Sequence, residues 1–130
     1  MATEILINDG GAPSRILPFV ASEDISAGEV LKAGTTGGEC SLATVTTAPI
    51  LGVALTDAGS GSTCNVISGR GIIVNIQCTD EAAGANLMVD GTAGQLDLWV
   101  DSATAGLTNQ VVACTLENNS AAGLTKCMLF

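Results

Sequence analysis

The run Gly71-Ile72-Ile73-Val74-Asn75-Ile76-Gln77-Cys78 alternates in polarity with a period of two. Ile72, Val74, Ile76 and Cys78 would face one side of a strand, with Ile73, Asn75 and Gln77 on the other. Gln95 to Asp101 alternates more strictly. There Leu96, Leu98 and Val100 oppose Asp97, Trp99 and Asp101. Working outward, Ile50 to Thr56 places Leu51, Val53 and Leu55 on one face and leaves Gly52 and Ala54 on a nearly bare one. Val112, Cys114 and Leu116 share a face, and Cys127 to Phe130 reads as a last short strand. Gly-rich and Asn-rich turns separate these runs at short intervals, among them Ala27-Gly28, Gly37-Gly38, Gly69, Ala83-Gly84, Gly94 and Asn118-Asn119-Ser120. No window of eleven residues keeps a helical apolar pattern. Short strands punctuated by Gly argue an all-β barrel or sandwich, and the gaps are too short for βαβ units.

Two stretches echo each other. Ala27-Gly28-Glu29-Val30-Leu31, then Val53-Ala54-Leu55-Thr56 and Cys64 to Ile67, find counterparts in Ala83-Gly84-Ala85-Asn86-Leu87, Val112-Ala113-Cys114-Thr115 and Thr125 to Leu129. This suggests two similar β modules, about 25–78 and 81–130, inside one β domain spanning 21–130. Residues 1–20 read differently. Ile5, Ile7, Ile16, Leu17, Phe19 and Val20 flank the breakers Asn8 to Ser14. They suit either an extended N-terminal arm with apolar anchors or an ordinary first strand plus loop.

Composition bounds the chemistry. The 130 residues carry 13 Asp plus Glu, 4 Lys plus Arg and no His, for a net charge of −9. Without His there is no imidazole base, catalytic triad or histidine metal ligand. Four cations in an acidic chain exclude nucleic-acid backbone binding as an expectation. No stretch approaches the ~18 apolar residues of a membrane helix. The N-terminus has no basic segment and no long apolar core, so no signal peptide is expected. Charged residues are 13% of the chain, about half the usual share. A monomer of this mass exposes on the order of 6,300 Å², so part of that surface is expected to be buried against other subunits.

The five cysteines, Cys40, Cys64, Cys78, Cys114 and Cys127, are odd in number and widely spaced. They read as reduced, buried thiols acting as small hydrophobes. The acid pairs Glu23-Asp24 and Asp80-Glu81, and Asp97 with Asp101, read as turn and cap residues. Asp90 to Gly94 lacks the spaced carboxylates of a calcium loop. Gly69-Arg70-Gly71 reads as a turn between strands, its alternative being a loop cation that grips an anion. No phosphate loop or nucleophile elbow is present. Trp99 reads as a packing residue at a sheet edge or subunit contact. No catalytic residue, cofactor or metal is expected.

Several segments together resemble tailed-phage capsid decoration (cement) proteins. They are Asp24 to Lys32, Pro49 to Gly61, Cys64-Asn65-Val66 and Gly69 to Val74, with Ala83 to Leu87 and Gln110 to Ala113 later in the chain. The order is similar to that of the small Ala/Gly-rich family often mislabelled as recombinase-like, and to lambda-type head decoration proteins. The resemblance covers roughly residues 16–130. It implies a β-barrel or β-tulip-like domain with an N-terminal arm. It also implies a homotrimer on the outer face of an icosahedral capsid, at or near three-fold or quasi-three-fold sites. There it would hold the major capsid protein against DNA pressure. By that analogy Ile5, Ile7, Ile16, Leu17 and Phe19 contact the capsid. Trp99, Phe130 and Arg70 are candidates for the subunit interface. The resemblance implies no catalysis, nucleic acid or membrane partner. The cysteines depart from the family pattern, which leaves one disulfide open once a particle leaves the cell. A second resemblance, of Ile25 to Leu31 to the turn of SAF-type β-clip domains, implies a carbohydrate-binding alternative through Trp99, Asp97 and Asp101. Nucleotide-hydrolysing β-clip trimers would need more than Arg70 and Asp80.

Overall fold

The computed structural model describes residues 5–8, 15–44, 50–89, 92–99 and 111–130. Among these the chain is all-β. The strands are β1 (Leu6–Asn8), β2 (Arg15–Ala21), β3 (Val30–Ala33), β4 (Glu39–Leu42), β5 (Ile50–Ala54) and β6 (Thr63–Ser68). They continue as β7 (Ile73–Cys78), β8 (Asn86–Val89), β9 (Leu96–Leu98), β10 (Ala113–Thr115) and β11 (Gly123–Leu129).

Strands β2 to β6 close a barrel in the order β2-β4-β3-β5-β6. Strands β7 to β11 follow the same plan, β7-β9-β8-β10-β11. They close through the pair Cys78–Leu96, with β1 added to the outer edge of β7. The repeat holds residue by residue. Leu31 opposite Leu42 and Ala33 opposite Cys40 recur 56 positions on as Leu87 opposite Leu98 and Val89 opposite Leu96. Val53 opposite Ile67 and Ala54 opposite Val66 recur 61 positions on as Cys114 opposite Met128 and Thr115 opposite Cys127. The parallel β2–β4 pair has its counterpart in the parallel β7–β9 pair.

Three sequence expectations shift as a result. The module boundary lies at the Gly69-Arg70-Gly71 turn, because β7 pairs with β11, β9 and β1 and with no strand of the first barrel. Residues 15–20, expected in the arm, are paired with β6 from Arg15–Ser68 to Val20–Thr63. The match of Val53-Ala54 to Val112-Ala113 is two residues out of step: the register sets Ala54 with Thr115. Val112 is buried, but the other two residues of the expected Val112, Cys114 and Leu116 face are not. Ala113 and Thr115 point inward, Cys114 is half-buried and Leu116 is exposed. Thr115 can sit inside because its hydroxyl donates to the Ala82 carbonyl (2.6 Å) and accepts from the Ala85 N–H (2.9 Å).

Each barrel has its own core. Ala21, Ile25, Leu31, Cys40, Ala54, Ala58, Cys64 and Val66 fill the first. The larger cluster fills the second with Val74, Ile76, Cys78, Leu87, Leu96 and Cys127, and continues into Val30, Val53 and Ile67 of the first barrel. So β3, β5 and β6 are buried on both faces. Leu31, Ala54 and Val66 point into their own barrel, while Val30, Val53 and Ile67 point at its neighbour. Burying these fully enclosed side chains stabilises the join by roughly 1.5–3 kcal/mol each.

Candidate interaction surface

The anchors expected in the arm separate. Ile5 is 2% exposed and belongs to the large core, so it faces no partner. Ile7 lies in β1, on the β7 edge. Phe19 is half-buried against the first barrel's core. Ile16 and Leu17 are each 47% exposed, and Val20 on the same strand is exposed as well. β2 therefore presents Ile16, Pro18 and Val20 on its outer face, along the edge where β7, its counterpart, carries β1, while Leu17, opposite Val66, is on the barrel side.

Backbone chemistry distinguishes these edges. On β7, the Asn75 N–H donates to the Ile5 carbonyl (2.8 Å) and the Gln77 N–H to the Gly28 carbonyl (2.9 Å). On β2, Pro18 stands at the Asn75 position and has no N–H. Val20 stands at the Gln77 position and donates to the Gly38 carbonyl (2.9 Å). Proline on an edge strand is a known guard against strand addition. The β2 surface thus offers apolar side chains and not a backbone template.

The interface candidates also disperse. Phe130 is 49% exposed. It borders a cleft of about 120 Å³ between the barrel ends, together with Ile50, Gly52, Ser68, Val112 and Leu129. Among the described residues no ionisable side chain lines that cleft. Arg70 is exposed on the turn joining the barrels. Trp99 is half-buried just after β9, its backbone N–H donating to the Asn86 carbonyl (2.7 Å).

The carboxylates act as turn partners. Glu23 accepts from the Leu42 N–H and Asp24 from the Ser60 N–H. Asp57 accepts from the Ala27 N–H at 2.7 Å, and Asn118, its counterpart, from the Ala83 N–H at 2.9 Å. Asp97 is taken up by the Thr79 hydroxyl (2.7 Å) and the Leu98 N–H (2.7 Å). Burial works to raise its pKa, but these hydrogen bonds prevail and hold the carboxyl below its ordinary value. Its carboxylate thus ties β9 to the turn after β7. Asp101, and Asp90 of the calcium-like stretch, lie outside the described residues. Among the described residues no three potential ligands converge on a metal site.

No cysteine is disulfide-bonded. Cys78 Sγ and Cys127 Sγ stand 3.8 Å apart in the second core. Hydrogen bonding to Cys78 and then burial push the Cys127 thiol up. Burial likewise pushes Cys64 up to about 12. Thiols held in this way are poor nucleophiles.

No protein-family model and no characterised protein matches the chain in sequence. Among solved structures, the chain is similar to the N base of the head fiber protein gp8.5 of bacteriophage phi29. The TM-score is 0.69 at 20% identity, over 91% of this chain and 95% of that one. The likeness extends through both barrels, so the two chains share the fold.

Proposed function

We propose that the protein is a structural component of a phage virion. It would be a homotrimeric decoration protein on the outer capsid surface, bound to the major capsid protein at three-fold or quasi-three-fold sites and bracing the shell against internal DNA pressure. The observation that carries this reading is the likeness in fold, over nearly the whole of both chains, to a domain from a phage head fiber. The sequence resemblance to capsid decoration proteins supports it independently. So do Ile16 and Val20, exposed on one face of a strand that Pro18 guards against backbone pairing. In this reading the protein needs no catalysis and no cofactor. Its acidic charge keeps particles apart in solution. Several weak contacts per trimer, engaged together, give firm attachment.

The test is cosedimentation of purified protein with expanded, undecorated capsids, followed by imaging of the loaded particles. Saturable binding at symmetry-related outer sites and a raised capsid disruption temperature are expected. Failure to bind either expanded or mature shells refutes the reading.

A further inference from the structure

The contact between the two barrels is head to tail, and among the described residues it leaves one unused copy of each half. Inside the chain, the first barrel offers the outer faces of β3, β5 and β6, through Val30, Val53 and Ile67. The second barrel offers the edge of β7 and the turn before β9. That turn inserts Gly94, whose N–H donates to the Ala43 carbonyl (2.9 Å) and whose carbonyl accepts from the Val30 N–H (2.8 Å). Leu42 closes over it: a methyl group built on Gly94 would stand 2.9 Å from Leu42 Cδ2.

The repeat defines where each half recurs unpartnered. The counterpart of the β7 edge is β2, with Ile16 and Val20, on the face away from its own barrel, at the positions of Ile73 and Gln77. The counterpart of the Gly94 turn is Gly38. Its φ is 82° against 78° for Gly94, and nothing lies within 4 Å of a methyl group built on it. The counterparts of Val30, Val53 and Ile67 are Asn86, Cys114 and Met128, which are exposed or half-buried. Leu98, 46% exposed, is the counterpart of Leu42, and Leu116, 42% exposed, is that of Leu55. Four of the six exposed large hydrophobics among the described residues, Ile16, Val20, Leu98 and Leu116, therefore lie on these two faces. The use to which both faces are put inside the chain names their occupant.

We propose that a second copy of this chain docks head to tail. Its Gly38 turn and β2 row would lie on the Leu98, Leu116 and Met128 face of the first copy's second barrel. A heterologous contact of this kind either closes into a ring or runs on as a filament. The proposal takes its number of copies from the trimer in the reading above, and on that reading rests a closed ring of six barrels. Because Pro18 and Val20 withhold their backbone donors on this side, side chains and the Gly38 turn make the contact.

Sedimentation equilibrium and cross-linking test this. The wild-type protein is expected at three times its 12.9 kDa mass. Ile16→Asp and Leu98→Asp, both at exposed sites, should each fall to one protomer's mass while keeping wild-type circular dichroism. For direction, Gly37→Cys and Leu98→Cys proteins, each also carrying Cys114→Ser because Cys114 is a half-buried free thiol on the same face, are oxidised with diamide separately and mixed. A cross-linked dimer should form in the mixture and not from either variant alone. Dimers from one variant alone would mean a two-fold contact and overturn the proposal. So would a monomeric wild type, or no cross-link in the mixture. Assembly that persists in both Asp variants defeats these faces but leaves the virion reading intact. Assembly as proposed without capsid binding defeats that reading and leaves this one.

Discussion

The two barrels share a register and differ in what covers them. In the first, β3, β5 and β6 are sandwiched: Leu31, Ala54 and Val66 fill the barrel while Val30, Val53 and Ile67 lie under its neighbour. In the second, Leu87, Thr115 and Cys127 point inward at the same positions, but Asn86, Cys114 and Met128 remain partly open. The composition follows the cover. Small Ala and Cys residues suffice inside the first barrel, which borrows stability from the join. The second barrel carries the larger Ile and Leu side chains and the extra strand β1. A duplicated fold therefore does not divide its stability evenly, since the contact between its copies has two unlike sides.

Paired substitutions at matched positions test this asymmetry. The largest effect is expected at Ile67 and Met128. Ile67→Ala empties a fully buried site between the barrels and should cost about 2–5 kcal/mol. Met128→Ala, at a half-buried site, should cost well under half as much in urea unfolding. Equal losses would mean that the join stabilises neither barrel preferentially. Next comes the matched pair Gly52 and Ala113. A Cβ at Gly52 would overlap the Ile67 carbonyl oxygen, so Gly52→Ala should destabilise by roughly 1–3 kcal/mol. The reverse change, Ala113→Gly, should cost about 0.5–1 kcal/mol, chiefly through the freedom gained by the unfolded chain. If Gly52→Ala were neutral, β5 and β6 would not approach as closely as described.

A smaller effect is expected from the repeated turn bond. Asp57→Ala and Asn118→Ala each remove the acceptor for one N–H, that of Ala27 or Ala83. Each should cost about 0.5–1.5 kcal/mol, and their similarity is the outcome of interest. A difference of several-fold would show that the two turns are alike in shape only. The smallest effect concerns Asp97, whose counterpart in the first barrel is Ser41. Its pKa is lowered in the folded state. Its contribution is therefore complete above the unfolded carboxylate pKa and is lost as pH falls through the lower folded value. Thermal midpoints measured from pH 6 down to pH 2 should fall less steeply in Asp97→Asn than in the wild type. Parallel curves would show that the Thr79 and Leu98 bonds to Asp97 do not favour its ionised form.

Much of the architecture was legible because a strand writes its burial in alternate residues. Val74, Ile76 and Cys78 are buried in β7 with Ile73, Asn75 and Gln77 half-exposed, in line with their alternation. β5 and β10 were harder to read. Gly52 and Ala54 form a buried face with almost no side chain, because β6 and its carbonyls approach that closely. Thr115 is buried because two backbone groups satisfy its hydroxyl. Both faces of β5 are covered, so hydrophobicity alone could not say which pointed inward. The candidate surface was legible only in part. Ile16 and Leu17 are exposed, but Ile5 is sealed in the core by a strand pairing that joins residues some 70 positions apart.

By itself, the sequence determined the all-β class, the absence of histidine chemistry and the rhythm of short strands and glycine turns. These follow from local periodicity and composition, which every short window carries. The tertiary structure decided the rest: that the strands close into two barrels of one plan, that the join is head to tail, and that among the described residues β2 and the outer face of the second barrel are left over. Those facts depend on which distant strands meet, and on whether a particular apolar side chain finds a partner within its own chain. Window by window, Leu42 and Leu98, one half-buried and one exposed, carry no mark of their different surroundings.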